Sequence, residues 1–154
     1  PAKLQVLQTP GHTPESACYL LNGQLLFTGD TLFLTGVGRP DLEASADEAR
    51  QRAHMLYGSL QCLLRLPPAV LVLPGHTGQP VAFDGQPVSA VLSQVASQVE
   101  LLHVPEAEFV NMLLARIPPT PPNHHRIVEL NEAGALPEID VTDLEAGANR
   151  CAVG

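Results

Sequence analysis

Three short stretches of this chain set a potential metal ligand directly behind a glycine. They are Thr9-Pro10-Gly11-His12-Thr13, Leu25-Leu26-Phe27-Thr28-Gly29-Asp30 and Leu71-Val72-Leu73-Pro74-Gly75-His76. In each, an apolar run stops at a turn residue, which is how a buried strand delivers a polar side chain to a site at its tip. Two imidazoles and a carboxylate suit zinc or non-haem iron. They reach one site only if the strands that carry them lie side by side. Any one of the three alone reads as an ordinary turn residue, but three repeats of one design make coincidence the weaker explanation. No side chain is assigned as a catalytic acid, base or nucleophile.

The rest of the chain must position those tips. Its 154 residues are one domain's worth of sequence, and with 45% hydrophobic residues there is enough apolar material for a core. Aromatic residues make up only 4%, so Leu, Val and Ala must fill that core. The net charge of -8, with eight scattered Lys and Arg residues, argues against a phosphate-binding surface and against nucleic acid as a partner. No stretch approaches the roughly 20 apolar residues of a membrane span, and the first residues lack the order of a signal peptide, so a cytoplasmic protein is expected. Cys18, Cys62 and Cys151 are odd in number and widely spaced, which indicates neither a disulfide framework nor a zinc ribbon. Cys18 and Cys62 read as core residues, and Cys151 stays open.

In chain order, Leu4 to Leu7 is a strand stopped by Pro10-Gly11, Glu15 to Leu21 is a second, and Asn22-Gly23 turns tightly into a third over Gln24 to Thr28. Thr31 to Leu42 has two glycines, a proline and no helical period, so it reads as an ordered loop beside Asp30. Arg39 in that loop has two readings, a fork onto a substrate carboxylate or an ion pair with Asp41 or Asp47. Ser45-Ala46-Asp47-Glu48 fits a capping box, and Ala49, Ala53, Leu56, Tyr57, Leu60 and Leu64 continue a helix that Pro67-Pro68 stops. Ala69 to Leu73 is the next strand. One amphipathic helix is expected from Val88 to Leu102 and another around Phe109, Met112 and Leu113. After the Pro-rich Pro118 to Pro122, Asn123 caps a short helix through Leu130 that Gly134 ends. His54 reads as a helix residue, and His124 and His125 as solvated or packed first-turn residues.

Taken together, the three glycine-led motifs resemble the C-terminal half of the metallo-β-lactamase superfamily, in that family's order. The resemblance implies an α/β fold, half of an αββα sandwich, with His12, Asp30 and His76 as metal ligands at its edge. Gly38-Arg39-Pro40-Asp41-Leu42 and Ala148-Asn149-Arg150-Cys151-Ala152 are similar to the persulfide dioxygenase branch, which oxidises glutathione persulfide to sulfite with O2 on one iron. That implies Fe(II), with zinc as one or two ions in the alternative glyoxalase II-like thioesterase. It also implies a small thiol or persulfide substrate, with Arg39 and Cys151 lining its site.

The family's His-x-His-x-Asp-His motif is absent from residues 1–154. Expected from that is a C-terminal portion of one domain, inactive alone, with an incomplete metal site and one sheet face uncovered. A non-catalytic half-domain is the third reading. Either a homo-oligomer or a missing N-terminal half would complete the structure.

Overall fold

A computed structural model of the chain describes residues 1–77, 81–82, 84–120, 123–134, 144 and 152–154. Its centre is a five-stranded sheet in the order β1-β2-β3-β5-β6, formed by β1 (Leu4–Gln8), β2 (Ala17–Leu21), β3 (Leu25–Gly29), β5 (Leu71–Pro74) and β6 (Ala90–Val91). The β1-β2-β3 meander is antiparallel, turning through Asn22-Gly23, whereas β3 and β5 pair in parallel. Two reversals make β1 parallel to β3 as well. The carboxyl ends of β1, β3 and β5 therefore leave the sheet at one edge, and those are the ends that lead to His12, Asp30 and His76.

Strand alternation divides the sheet into two unlike faces. Leu20, Leu26 and Val72 are in register and almost completely buried. They meet Leu56, Leu60 and Leu63 of α1 (Ala46–Leu63), Leu92 and Val95 of α2 (Leu92–Gln98), and Phe109 and Leu113 of α3 (Glu106–Ala115) in one core. Rings of Tyr57 and Phe109, 5.4 Å apart, join α1 to α3. On the other face Val6, Tyr19 and Phe27 form a second registered row, 59%, 43% and 40% exposed, with Leu4 at 57% beside them. Among the described residues the helices pack on one face only. This is the mixed α/β half-sandwich expected of the sequence, with the second sheet face apolar and bare.

Helix α1 starts where the capping box places it. Ser45 Oγ accepts from the Glu48 amide at 3.3 Å, and the Glu48 carboxylate accepts from the Ser45 amide at 2.8 Å. The Ser45 hydroxyl, donating to the same carboxylate at 2.7 Å, and then the Ser45 amide hold the Glu48 carboxyl below its ordinary value. Because the folded value is the lower one, this cap contributes fully above the ordinary glutamate range and weakens as pH falls through the depressed value.

Four expectations are corrected. The segment from Val88 to Leu102 is not one helix: Ala90–Val91 pairs with β5, α2 follows, and a 3-10 turn runs over Glu100–His103. The reason is that Leu71 and Val72 offer β6 an open strand edge, while extended Val99 interrupts the helical run. Cys62 is exposed, because α1 buries Ala53, Leu56, Leu60 and Leu63, and position 62 falls on the opposite side. The loop after Asp30 contains a two-residue strand, β4 (Val37–Gly38), paired with β7 (Ala152–Val153), at the far end of the chain in sequence, a contact that no local signal announces. Asn123 precedes α4 (His124–Ala133) without capping it, and its side-chain amide donates to the Leu144 carbonyl instead.

The unlike faces generate a stability test. Leu26→Ala, in the closed core, is expected to lower unfolding free energy by about 2–5 kcal/mol. Val6→Ala, on the bare face, should stay within about 0.5 kcal/mol. Urea unfolding of the two variants measures the contrast, and equal losses would place both faces in the core.

Candidate metal centre

Asp30 stands between the two histidines. His76 Nδ1 lies 2.6 Å from Asp30 Oδ1, and His12 Nε2 lies 3.6 Å from Asp30 Oδ2, so each imidazole faces a different oxygen of one carboxylate. The Asp30 and His12 side chains are mostly buried, whereas His76 is the more open of the three.

Each is held from behind by backbone. His12 follows a turn in which the Thr9 amide donates to the Ser16 carbonyl at 2.8 Å, and Ser59 of α1 donates to the Pro10 carbonyl at 2.8 Å. The tips of β3 and β5 are tied by the Gly75 amide donating to the Gly29 carbonyl at 2.8 Å. At Gly75 a Cβ would lie 2.8 Å from Asp30 Oδ1, so any larger residue would displace the carboxylate. At Gly38 a Cβ would collide with the Asp30 carbonyl and stand 3.1 Å from His12 Cβ. The phenyl ring of buried Phe33 meets the His76 ring edge-on at 6.4 Å.

The ring orientation of His12 decides what the site can hold. Its Nδ1 is 2.8 Å from the Arg39 carbonyl, which can only accept, so Nδ1 carries a hydrogen. In the neutral ring Nε2 is then a lone pair aimed at a carboxylate oxygen. Two electron-rich atoms face each other stably only with a positive charge between them, a proton or a metal ion. Their 3.6 Å separation is shorter than the roughly 4 Å spanned by one zinc–nitrogen and one zinc–oxygen bond. A backbone carbonyl fixing the far nitrogen of a metal-ligating histidine is a common support for such sites. The donor set therefore fits a divalent metal.

Beneath the centre lies a buried polar shelf that sequence reasoning did not single out. Thr9 Oγ1 is 3.2 Å from Thr31 Oγ1 and 3.3 Å from Cys18 Sγ, and Thr28 Oγ1 donates to the Leu32 carbonyl at 2.6 Å. Burial pushes the Cys18 thiol up, against the opposing pull of its hydrogen bonds to Thr9 and Thr31. Cys18 is thus a neutral thiol near pH 7. The two threonines flanking the motifs, Thr9 and Thr31, were the available signal.

Arg39 is not on an open rim. Only 1% exposed, it forks onto Asp41, with Nε to Oδ1 at 2.8 Å and Nη2 to Oδ2 at 2.7 Å, and Nη1 donates to the Pro119 carbonyl at 3.1 Å. Its guanidinium serves the fold, tying the loop to the segment before α4, while its backbone serves His12. Of the two readings of Arg39, the ion pair with Asp41 is the one formed. Cys151 lies outside the described residues. His54 is an exposed helix residue paired with Glu106, as expected. His124 and His125 are not merely solvated, since both lie against Glu43.

Residues 3–76 match the model of the metallo-beta-lactamase superfamily, a span holding His12, Asp30 and His76. A metallo-beta-lactamase structure from Staphylococcus aureus superposes with a TM-score of 0.74 at 28% identity, covering 88% of this chain and 41% of that one. The chain belongs to the metallo-β-lactamase superfamily. It is 42% identical over 74 residues to a hydroxyacylglutathione hydrolase of Xanthomonas euvesicatoria, covering 48% of this chain and 26% of that protein. It is 36% identical, again over 74 residues, to a probable polyketide biosynthesis zinc-dependent hydrolase of Bacillus velezensis, covering 48% of this chain and 30% of that protein. The chain spans only 25% to 40% of the length of curated relatives it matches. No helix among the described residues is long and apolar enough to cross a membrane.

Two tests follow. Asp41→Ala leaves a buried guanidinium without its carboxylate, so the expected loss of unfolding free energy is about 3–5 kcal/mol. Urea denaturation measures it, and a loss under about 0.5 kcal/mol would contradict the structural role of the pair. Alkylation of the native protein at pH 7.5 should label Cys62 readily and Cys18 only after unfolding. Peptide mapping reads both sites, and equal native labelling would contradict the burial of Cys18.

Proposed function

We propose that this chain carries three ligands of a metal-dependent hydrolase of the glyoxalase II kind, acting on a thioester of a small thiol such as glutathione. The observation that supports it is two imidazoles gathered on one carboxylate, with His76 2.6 Å and His12 3.6 Å from its two oxygens, a donor set that would hold zinc. When bound, the metal supplies what no side chain here offers, acidification of a water toward neutral pH and polarisation of a carbonyl.

The chain's own residues prepare that chemistry. The Arg39 carbonyl keeps the His12 hydrogen on Nδ1 and so reserves Nε2 for the metal. Asp30 brings the anionic ligand, and Phe33 braces His76. The neutral Cys18 thiol neither competes as a ligand nor acts as a nucleophile. In this reading the remaining ligands come from a His-x-His-x-Asp-His segment carried by the whole protein, which would also cover the bare sheet face. Activity, substrate and metal of the whole protein are part of the proposal.

A second reading, persulfide dioxygenase on one Fe(II), is favoured by a separate observation. The Gly38 to Leu42 loop, where the similarity to that branch lies, packs directly against Asp30 and His12.

The protein expressed from its whole reading frame, loaded with zinc or with Fe(II), separates these readings. Expected is hydrolysis of a glutathione thioester by the zinc form, abolished in Asp30→Asn, with this chain alone inactive. Persulfide-dependent O2 uptake by the iron form without thioester hydrolysis would transfer the assignment to the dioxygenase. Neither activity in either form would overturn both.

A further inference from the structure

Away from Asp30, two adjacent histidines meet a glutamate that lies 81 residues before the first of them. His124 Nε2 lies 3.1 Å and His125 Nδ1 3.0 Å from the same Glu43 oxygen, Oε1. Successive residues of a helix point about 100° apart, so two adjacent imidazoles converging on one oxygen is not the default of a first turn. The rings adapt by standing 5.3 Å apart and tilted at 53°. One ligand atom from each of the three residues falls within 4.8 Å of the other two. Glu43 reaches them from a loop held with φ at +51°.

We propose that Glu43, His124 and His125 form a second divalent-cation site, for a borderline ion such as Zn2+, separate from the Asp30 centre. Two imidazoles and a carboxylate are zinc-type donors, and nitrogen-to-oxygen separations of 3.0 and 3.1 Å lie within the roughly 4 Å that two bonds to one ion can span. A cavity of about 310 Å³, lined also by Asp41, Leu42, Ala44 and Thr120, opens beside the three ligands and leaves room for water to complete the coordination shell. The ion would clamp the first turn of α4 to the loop that follows the Arg39-Asp41 fork. It thereby stiffens the segment whose carbonyl orients His12, without touching the Asp30 centre. Its role is structural or regulatory, and it does not depend on which reaction the whole protein performs.

Zinc alone is the probe. Equilibrium dialysis of this chain against buffered Zn2+ would be compared for the unaltered sequence, His125→Ala, Glu43→Gln and Asp30→Asn. His125 is 80% exposed, so its replacement leaves the fold intact. Expected is one class of bound zinc weakened about tenfold or more in His125→Ala and Glu43→Gln but kept in Asp30→Asn. Zinc should also raise the Tm of the unaltered chain and of Asp30→Asn, and not that of His125→Ala. Zinc binding and Tm response unchanged in both His125→Ala and Glu43→Gln would overturn the second site. Loss of all bound zinc in Asp30→Asn alone would overturn it too, while supporting the Asp30 centre.

Discussion

The parallel pairing of β3 with β5 is the constraint on which this structure depends. It sets Gly29 against Pro74 in register and lets the Gly75 amide bond the Gly29 carbonyl, so Asp30 and His76 emerge as neighbours. Parallel neighbours require a crossover connection, here the segment from Asp30 to Val70 that contains α1. That crossover both closes the core over Leu26 and Val72 and, through Ser59, holds the turn that carries His12. Packing and site are thus built by the same pieces.

Around the carboxylate, geometry is set by backbone more than by side chains. A carbonyl from Arg39 fixes the ring of His12, and two glycines let backbone approach Asp30 more closely than any side chain would allow. Such supports tolerate little motion and hold the three side chains in one arrangement. The bare row of Val6, Tyr19 and Phe27 has the opposite character, apolar surface with no partner among the described residues. Apolar patches of that kind mark interaction surfaces or association hazards. The half-sandwich is in this sense consistent with a chain that spans a minor fraction of its relatives' length.

Arg39 shows how one residue can mislead and inform at once. A guanidinium in a glycine-rich loop beside Asp30 allows two readings, and the one that forms is the fork onto Asp41, two residues away in sequence. Burial decides the matter, because a cation 1% exposed must be paired to be tolerated at all. What Arg39 gives the site is its carbonyl, an atom every residue has.

By itself the sequence determined β1, β2, β3 and β5, the capped helix α1 and the placing of His12, Asp30 and His76 at strand tips, because these rest on local physics. Alternating apolar residues, a Ser45–Glu48 cap and Asn22-Gly23 act over a few positions and leave visible signatures. The same local evidence misjudged Cys62, since helical position relative to the buried stripe matters more than residue type. Only the tertiary structure decided the pairing of β4 with β7, the edge strand at Ala90–Val91, the tautomer of His12 and the convergence of Glu43 with His124 and His125. Each of these joins residues between 18 and 116 positions apart, and the free energy that selects such contacts comes from burial and hydrogen-bond satisfaction across the fold, which no window of neighbouring residues contains.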